Sequence, residues 1–145
     1  MVAFEAEVEI AAPPEKVWRV LSDTTLESRW MRATRTVEFL TSPAHYRQGA
    51  LMRRTGRFMG MTLRWNSEVT ECTPDRAIAF RHDGAINGMS RWELSGTAGG
   101  TRVRLRSEGP APGPMKWLPG LAAQAGRAGL KSDLRRLKAL VEQAG

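Results

Sequence analysis

The side chains able to do chemistry in this chain are few. They are two histidines, His45 and His82, the single cysteine Cys72, the single tyrosine Tyr46, and a basic strand holding Arg53, Arg54 and Arg57. His82 stands in phase with Ile78 and Phe80 in a stretch that alternates as a strand does, so its imidazole can point inward at a strand end. An imidazole there could act as acid or base near neutral pH, whereas a satisfied or solvent-facing histidine is the plainer alternative. His45 and Tyr46 lie in a polar loop with no partner in reach by sequence. Cys72 sits at a strand end with no histidine placed to activate it, and reads as structural. Two histidines and one cysteine at unrelated spacings match no ligand set, so no metal or other cofactor is expected and no catalytic residue is assigned. The chain also lacks a Gly-x-Ser-x-Gly elbow, a phosphate-binding loop followed by Lys-Ser/Thr, and a dinucleotide fingerprint. Arg53, Arg54 and Arg57 occupy both phases of their strand. At least one could face inward and hold a carboxylate or phenolate, the alternative being solvated edge-strand charge.

The elements that must position these groups follow from pattern and punctuation. Phe4, Ala6, Val8 and Ile10 alternate with Glu5, Glu7 and Glu9, which predicts a half-buried strand over Phe4–Ile10. Pro13 and Pro14 end it and suit the first turn of a helix, to which Val17, Trp18, Val20 and Leu21 give an apolar side. Thr24 and Glu27 read as a capping box opening a second short helix that runs to about Trp30. Strands are expected at Arg35–Thr41, Ala50–Phe58, Met61–Cys72, Ala77–His82, Ser90–Leu94 and Thr101–Glu108, separated by turns such as Met59-Gly60 and Thr73-Pro74-Asp75-Arg76. Four prolines between residues 109 and 119 precede a change of period. Leu130, Leu134, Leu137 and Val141 then predict a C-terminal helix over Leu121–Gln143.

A length of 145 residues fits one domain, residues 1–145, with a core of its own. No apolar run approaches the roughly 20 residues that cross a bilayer, and the start Met1-Val2-Ala3-Phe4-Glu5 has no signal-peptide character. A cytoplasmic location is therefore expected, in keeping with the lone cysteine. The net charge of +7 raises nucleic acid or an anionic membrane as partners. Two basic groups could supply a patch: Arg102, Arg104 and Arg106 on one strand, and Lys131, Arg135, Arg136 and Lys138 on the last helix. No aromatic interleaving accompanies either, so nucleic acid is not the expected partner.

The order of elements and a set of short motifs resemble the Bet v 1-like, or START/SRPBCC, superfamily, and its bacterial polyketide cyclase/dehydrase branch in particular. The residues carrying the resemblance are Ala12-Pro13-Pro14-Glu15-Lys16-Val17-Trp18 with Leu21, Asp23 and Trp30, then Glu68-Val69-Thr70-Glu71 with Pro74. Trp92-Glu93-Leu94, Gly100-Thr101-Arg102-Val103 and Leu134-Arg135-Arg136-Leu137-Lys138 complete the set. The resemblance implies an α+β helix-grip fold: a seven-stranded antiparallel sheet wrapped around a long C-terminal helix, with two short helices between strands 1 and 2. It also implies that the last strand pairs with the first, setting the arginine row against Glu5, Glu7 and Glu9. Between sheet and helix it implies an apolar cavity.

Strand phase then nominates the lining. Met61, Leu63, Trp65 and Val69 share one side of the longest strand, and Phe80, Trp92 and His82 fall on the same face of theirs. Trp65, Trp92, Phe80, Met61 and Leu63 are expected as walls, His82 as a polar group at one end, and Met115 with Trp117 as the mouth; ordinary core packing is the plain alternative for each. The small residues Ala122, Ala123, Ala125, Gly126, Ala128 and Gly129 would either leave room for a ligand or let the helix pack closely on the sheet. The expected partner is a hydrophobic small molecule: a lipid, polyketide, quinone or other aromatic. Two rivals stand beside this reading. An enzyme of polyketide cyclase or dehydratase type would show an inward His82 or arginine on an open cavity. A protein- or membrane-partner module would show a filled core and an exposed apolar patch. Oligomeric state is not legible.

Overall fold

The strand–proline–helix junction near the N-terminus organises the architecture. The computed structural model describes residues 1–58, 60–110 and 117–143. In chain order the elements are β1 (Val2–Ile10), α1 (Pro14–Leu21), α2 (Glu27–Trp30), β2 (Thr36–Phe39), β3 (Leu51–Phe58), β4 (Met61–Thr73), β5 (Ala77–Gly84), β6 (Gly88–Thr97), β7 (Gly100–Gly109) and α3 (Pro119–Gln143). The strands form one antiparallel sheet in the order β1-β7-β6-β5-β4-β3-β2. This is the helix-grip arrangement. The chain leaves the sheet edge after Ile10, makes two short helices, and enters the opposite edge as β2.

Local chemistry explains the junction. Pro13 is the N-cap of α1 and Pro14 its first residue, where a missing N–H costs nothing, and Val17, Val20 and Leu21 are buried. The capping box expected at Thr24 does not form. The N-cap of the four-residue α2 is Leu26, with no side-chain cap bond, and Glu27 is turned into the interior instead. Asp23 organises that turn, accepting from the Thr25 N–H at 3.0 Å and the Thr25 hydroxyl at 2.6 Å.

Leu130, Leu134, Leu137 and Val141 seat α3 against the concave face, chiefly along β1. Complete burial of such a side chain contributes about 1.5–3 kcal/mol. Polar ties fix its C-terminal half in register: the Ala11 N–H donates to Glu142 at 2.9 Å, and Arg136 Nε donates to the Trp30 carbonyl at 3.0 Å. Arg136 also pairs with Asp133, which accepts from the Arg32 N–H at 3.2 Å.

On the convex face β1 and β7 lie in register, with Glu5 opposite Arg106, Glu7 opposite Arg104 and Glu9 opposite Arg102. Their ion pairs measure 3.6, 3.2 and 3.1 Å. These are exposed contacts of small individual worth, but they neutralise the arginine row where it stands. On α3, Arg136 and Lys138 are likewise engaged, with Asp133 and Glu142.

The small residues of α3 serve both of the purposes that sequence left open, at different positions. A Cβ at Gly126 would stand 2.6 Å from the Phe4 ring, whereas one at Gly129 would meet nothing within 4 Å. Gly126 is therefore a packing glycine and Gly129 a spacious one. Gly129→Ala is expected to stabilise the protein by up to about 1 kcal/mol through helix propensity alone. Gly126→Ala should forfeit that gain because Phe4 must move. Urea unfolding of the two variants checks this, and equal stabilisation would contradict it.

Candidate functional site: a cavity ending on a buried charged cluster

A short helix, a strand and the loop before that strand converge on a cluster of ionisable groups with almost no solvent contact. Glu27, from α2, is 0% exposed and Arg54, from β3, is 2% exposed. Arg54 grips the carboxylate with two parallel bonds, Nε to Oε2 at 2.9 Å and Nη2 to Oε1 at 3.0 Å. Tyr46, from the loop before β3, closes the triangle. Its hydroxyl donates to Glu27 Oε1 at 2.8 Å and accepts from Arg54 Nη2 at 2.6 Å. Phe80 lies beneath the guanidinium, 4.9 Å from its carbon to the ring centroid.

The charge states follow. Burial alone would raise the Glu27 pKa, but the adjacent Arg54 charge and the bonds from Arg54 and Tyr46 overcome it and hold the carboxyl below its usual range. Burial, reinforced by the Glu27 charge, pushes the Tyr46 phenol well up. Arg54 is raised despite its burial, because Glu27 faces it. The cluster is therefore one cation, one anion and a neutral phenol, with no net charge.

Beside it lies a cavity of about 590 Å³ between the concave face and α3. Trp65 and Trp92 face it from the sheet and Phe4 from β1; Ala122, Gly126, Gly129 and Leu130 face it from α3. The polar groups on its wall include Arg54, Thr34, His82, Ser90, Ser107 and Asp133. His82 links a row of hydroxyls: Nδ1 lies 2.7 Å from Ser67 Oγ, Nε2 lies 2.9 Å from Ser90 Oγ, and Ser90 Oγ lies 3.4 Å from Ser107 Oγ. Burial first, and the Arg54 charge second, lower the His82 pKa to about 4. The imidazole is neutral at physiological pH.

The residues nominated from sequence divide accordingly. Trp65, Trp92 and His82 line the cavity. Phe80 does not; it is packed edge-on against Trp92 and Tyr46, with ring centroids 4.8 and 5.4 Å away, and supports the wall from behind. Met61 is corrected outright, being 60% exposed, and half-buried Leu63 is not among the lining residues either. The reason is register: β5 joins β4 only from Trp65 opposite Gly84, so Met61–Arg64 project beyond it in a hairpin with β3. Trp117 is 79% exposed and off the cavity wall, and Met115 lies outside the described residues.

Among the three arginines of β3, Arg54 alone is buried, and Arg53 and Arg57 are exposed. Phase carries the signal: Arg54 shares its side with buried Met52. Nothing local marks Glu27 or Tyr46 as its partners, because they are 27 and 8 residues away and the contacts are tertiary. Cys72, within 3.8 Å of the Tyr46 carbonyl, has its thiol pKa raised by burial, which suits a structural role. Among the described residues no group of three His, Cys, Asp or Glu side chains could hold a metal ion.

A histidine whose folded pKa is depressed binds fewer protons than its unfolded counterpart between about pH 4 and 6.5, so stability falls as pH falls through that window. The wild-type melting temperature is expected to drop steadily from pH 6.5 to 4. In His82→Gln most of that slope should disappear. A variant that keeps the full slope would show that His82 is not the group responsible.

Comparison with known proteins adds the family. No curated protein matches the sequence. Among solved structures, one from Thermus thermophilus is similar at 23% identity and a TM-score of 0.77, covering 99% of each chain. One from Deinococcus radiodurans is similar at 24% identity and a TM-score of 0.72, covering the whole of both chains. DynU16, a protein of the dynemicin biosynthetic locus, is similar at 20% identity and a TM-score of 0.74 over 99% of this chain and 48% of its own. At these identities the likeness concerns the fold. The model of the polyketide cyclase/dehydrase and lipid transport family matches residues 1–142, and the chain belongs to that family.

Proposed function

We propose that this protein binds an apolar small molecule (a lipid, polyketide, quinone or other aromatic) in the cavity between the sheet and α3. The observation that carries the reading is the cavity itself. At about 590 Å³ it falls within the range of small-molecule sites, roughly 300–1,000 Å³. Its wall joins two tryptophans and a phenylalanine to a small polar group, the composition that gives affinity through burial and orientation through hydrogen bonds. The small α3 residues keep that volume open, since a larger side chain at Gly129, where nothing stands within 4 Å, would enter it. The family's description, which names both cyclase/dehydrase activity and lipid transport, is consistent with such an occupant.

A cyclase- or dehydratase-type enzyme working in the same cavity is the second reading. The inward His82 and Arg54 favour it, being the groups that a purely apolar container would lack. His82 is a weak base at neutral pH with its pKa near 4, so its contribution would be a neutral hydrogen bond through Ser90.

Native mass spectrometry of freshly purified protein tests the binding reading. A reproducible co-purified lipid or aromatic is expected, released unchanged on denaturation. Clean apo protein that also takes up none of a panel of such compounds would overturn it. A compound returned lighter by one water after incubation would select the enzyme reading.

A further inference from the structure

The guanidinium of Arg54 is only partly used. Nε and Nη2 are committed to Glu27 and Tyr46, while Nη1 is buried and meets no acceptor among the described residues. A planar guanidinium gripped along its Nε–Nη2 side directs its Nη1 hydrogens away from that carboxylate. Arg54 stands on the cavity wall, and a buried donor of this kind calls for an acceptor. The sequence alone left open an anionic acceptor, a carboxylate or phenolate.

The charges around the cavity point elsewhere. Among the described residues that line the cavity Arg54 is the one cation, and its charge is already matched by Glu27. The other charged groups on the wall are carboxylates: Asp133, paired with Arg136, and Glu108 toward the rim, 3.7 Å from Arg106. His82 and Tyr46 are neutral. A carboxylate delivered to Nη1 would therefore be a second anion on one cation, stripped of water and with no further cation among the described lining residues to balance it. A carbonyl oxygen surrenders far less hydration and gains a charge-assisted hydrogen bond.

We propose that the cavity's ligand meets Arg54 Nη1 with a neutral hydrogen-bond-accepting oxygen, such as a ketone, quinone or ester carbonyl, and not with a carboxylate. The proposal rests on the cavity-binding reading and narrows it to a class. Glu27 then has a second role. By cancelling the arginine's charge it turns an anion site into a carbonyl site.

Three near-isosteric probes separate the terms: 2-acetylnaphthalene with a carbonyl, 2-naphthoate with a carboxylate, and 2-isopropylnaphthalene with neither. Each is titrated into the full-length protein at neutral pH, followed by NMR at the Trp65 and Trp92 indole N–H signals. The ketone is expected to bind about tenfold more tightly than either of the others, which corresponds to about 1.4 kcal/mol. In Arg54→Lys, which keeps a cation beside Glu27 but has no Nη1, the ratio of ketone to isopropyl affinity should collapse toward about one, where a hydrogen bond is all that has been lost. Naphthoate binding as tightly as the ketone would overturn the proposal, and so would an isopropyl compound equal to the ketone in the wild-type protein. In both of those cases binding itself would stand. If none of the three shifts either tryptophan signal, the cavity-binding reading fails and this inference falls with it.

Discussion

An arginine and a glutamate sealed together under the sheet are the constraint that the rest of the structure accommodates. Stripping two such charges of water costs several kcal/mol each, and only good geometry with additional hydrogen bonds, here those of Tyr46, offsets it. That demand explains why α2 is so short and so fixed. It must deliver Glu27 to β3 from across the chain, with Trp30 one turn later packed edge-on to Trp92 at 5.2 Å. The loop before β3 answers the same demand, since Tyr46 supplies the third corner. The cluster joins the short helices to the far half of the sheet, while α3 joins them to the near half through Arg136 and Asp133.

The cavity is what remains when large residues on a curved sheet meet small residues on a helix. Trp65 and Trp92 set one wall; Ala122, Gly126 and Gly129 hold the opposite wall back. Past this small-sided half, Leu134, Leu137 and Val141 pack into the core. One helix thus does two jobs along its length, and the division between them is written in side-chain volume. Arg54 belongs to both parts of the interior: it is core by burial and wall by position.

Much of the architecture is legible because it rests on local and periodic signals. The double proline after an alternating strand, the glycine-marked turns and the 4–3–4 spacing of the last helix each carry their own physical cause. The glutamate and arginine rows are legible because family topology places the two strands side by side. Long-range consequences of register are harder to see. Met61 shares its phase with Trp65, yet it projects past the end of β5 and faces solvent. Phase tells which way a side chain points and not whether anything stands opposite. Glu27 resembles a cap because Thr-x-x-Glu before an apolar run is what a capping box looks like. The competing pull comes from Arg54, 27 residues on, which no local pattern discloses. The arginine row on the sheet makes no open basic patch for a related reason, since it is answered by glutamates across β1 and β7, and the net +7 is carried by other residues.

The central claim is that Glu27 and Arg54 form one neutral buried unit on which the fold and the cavity wall depend. A double-mutant cycle tests it most directly, with Glu27→Gln, Arg54→Met and their combination compared by equilibrium unfolding. Gln is chosen because it still accepts from the Tyr46 hydroxyl. Each single substitution leaves a buried charge without its partner and is expected to cost about 3–5 kcal/mol. The combination should be far milder than the sum, with a coupling energy of about 2 kcal/mol or more. Additive losses, agreeing to within about 0.5 kcal/mol, would contradict the account.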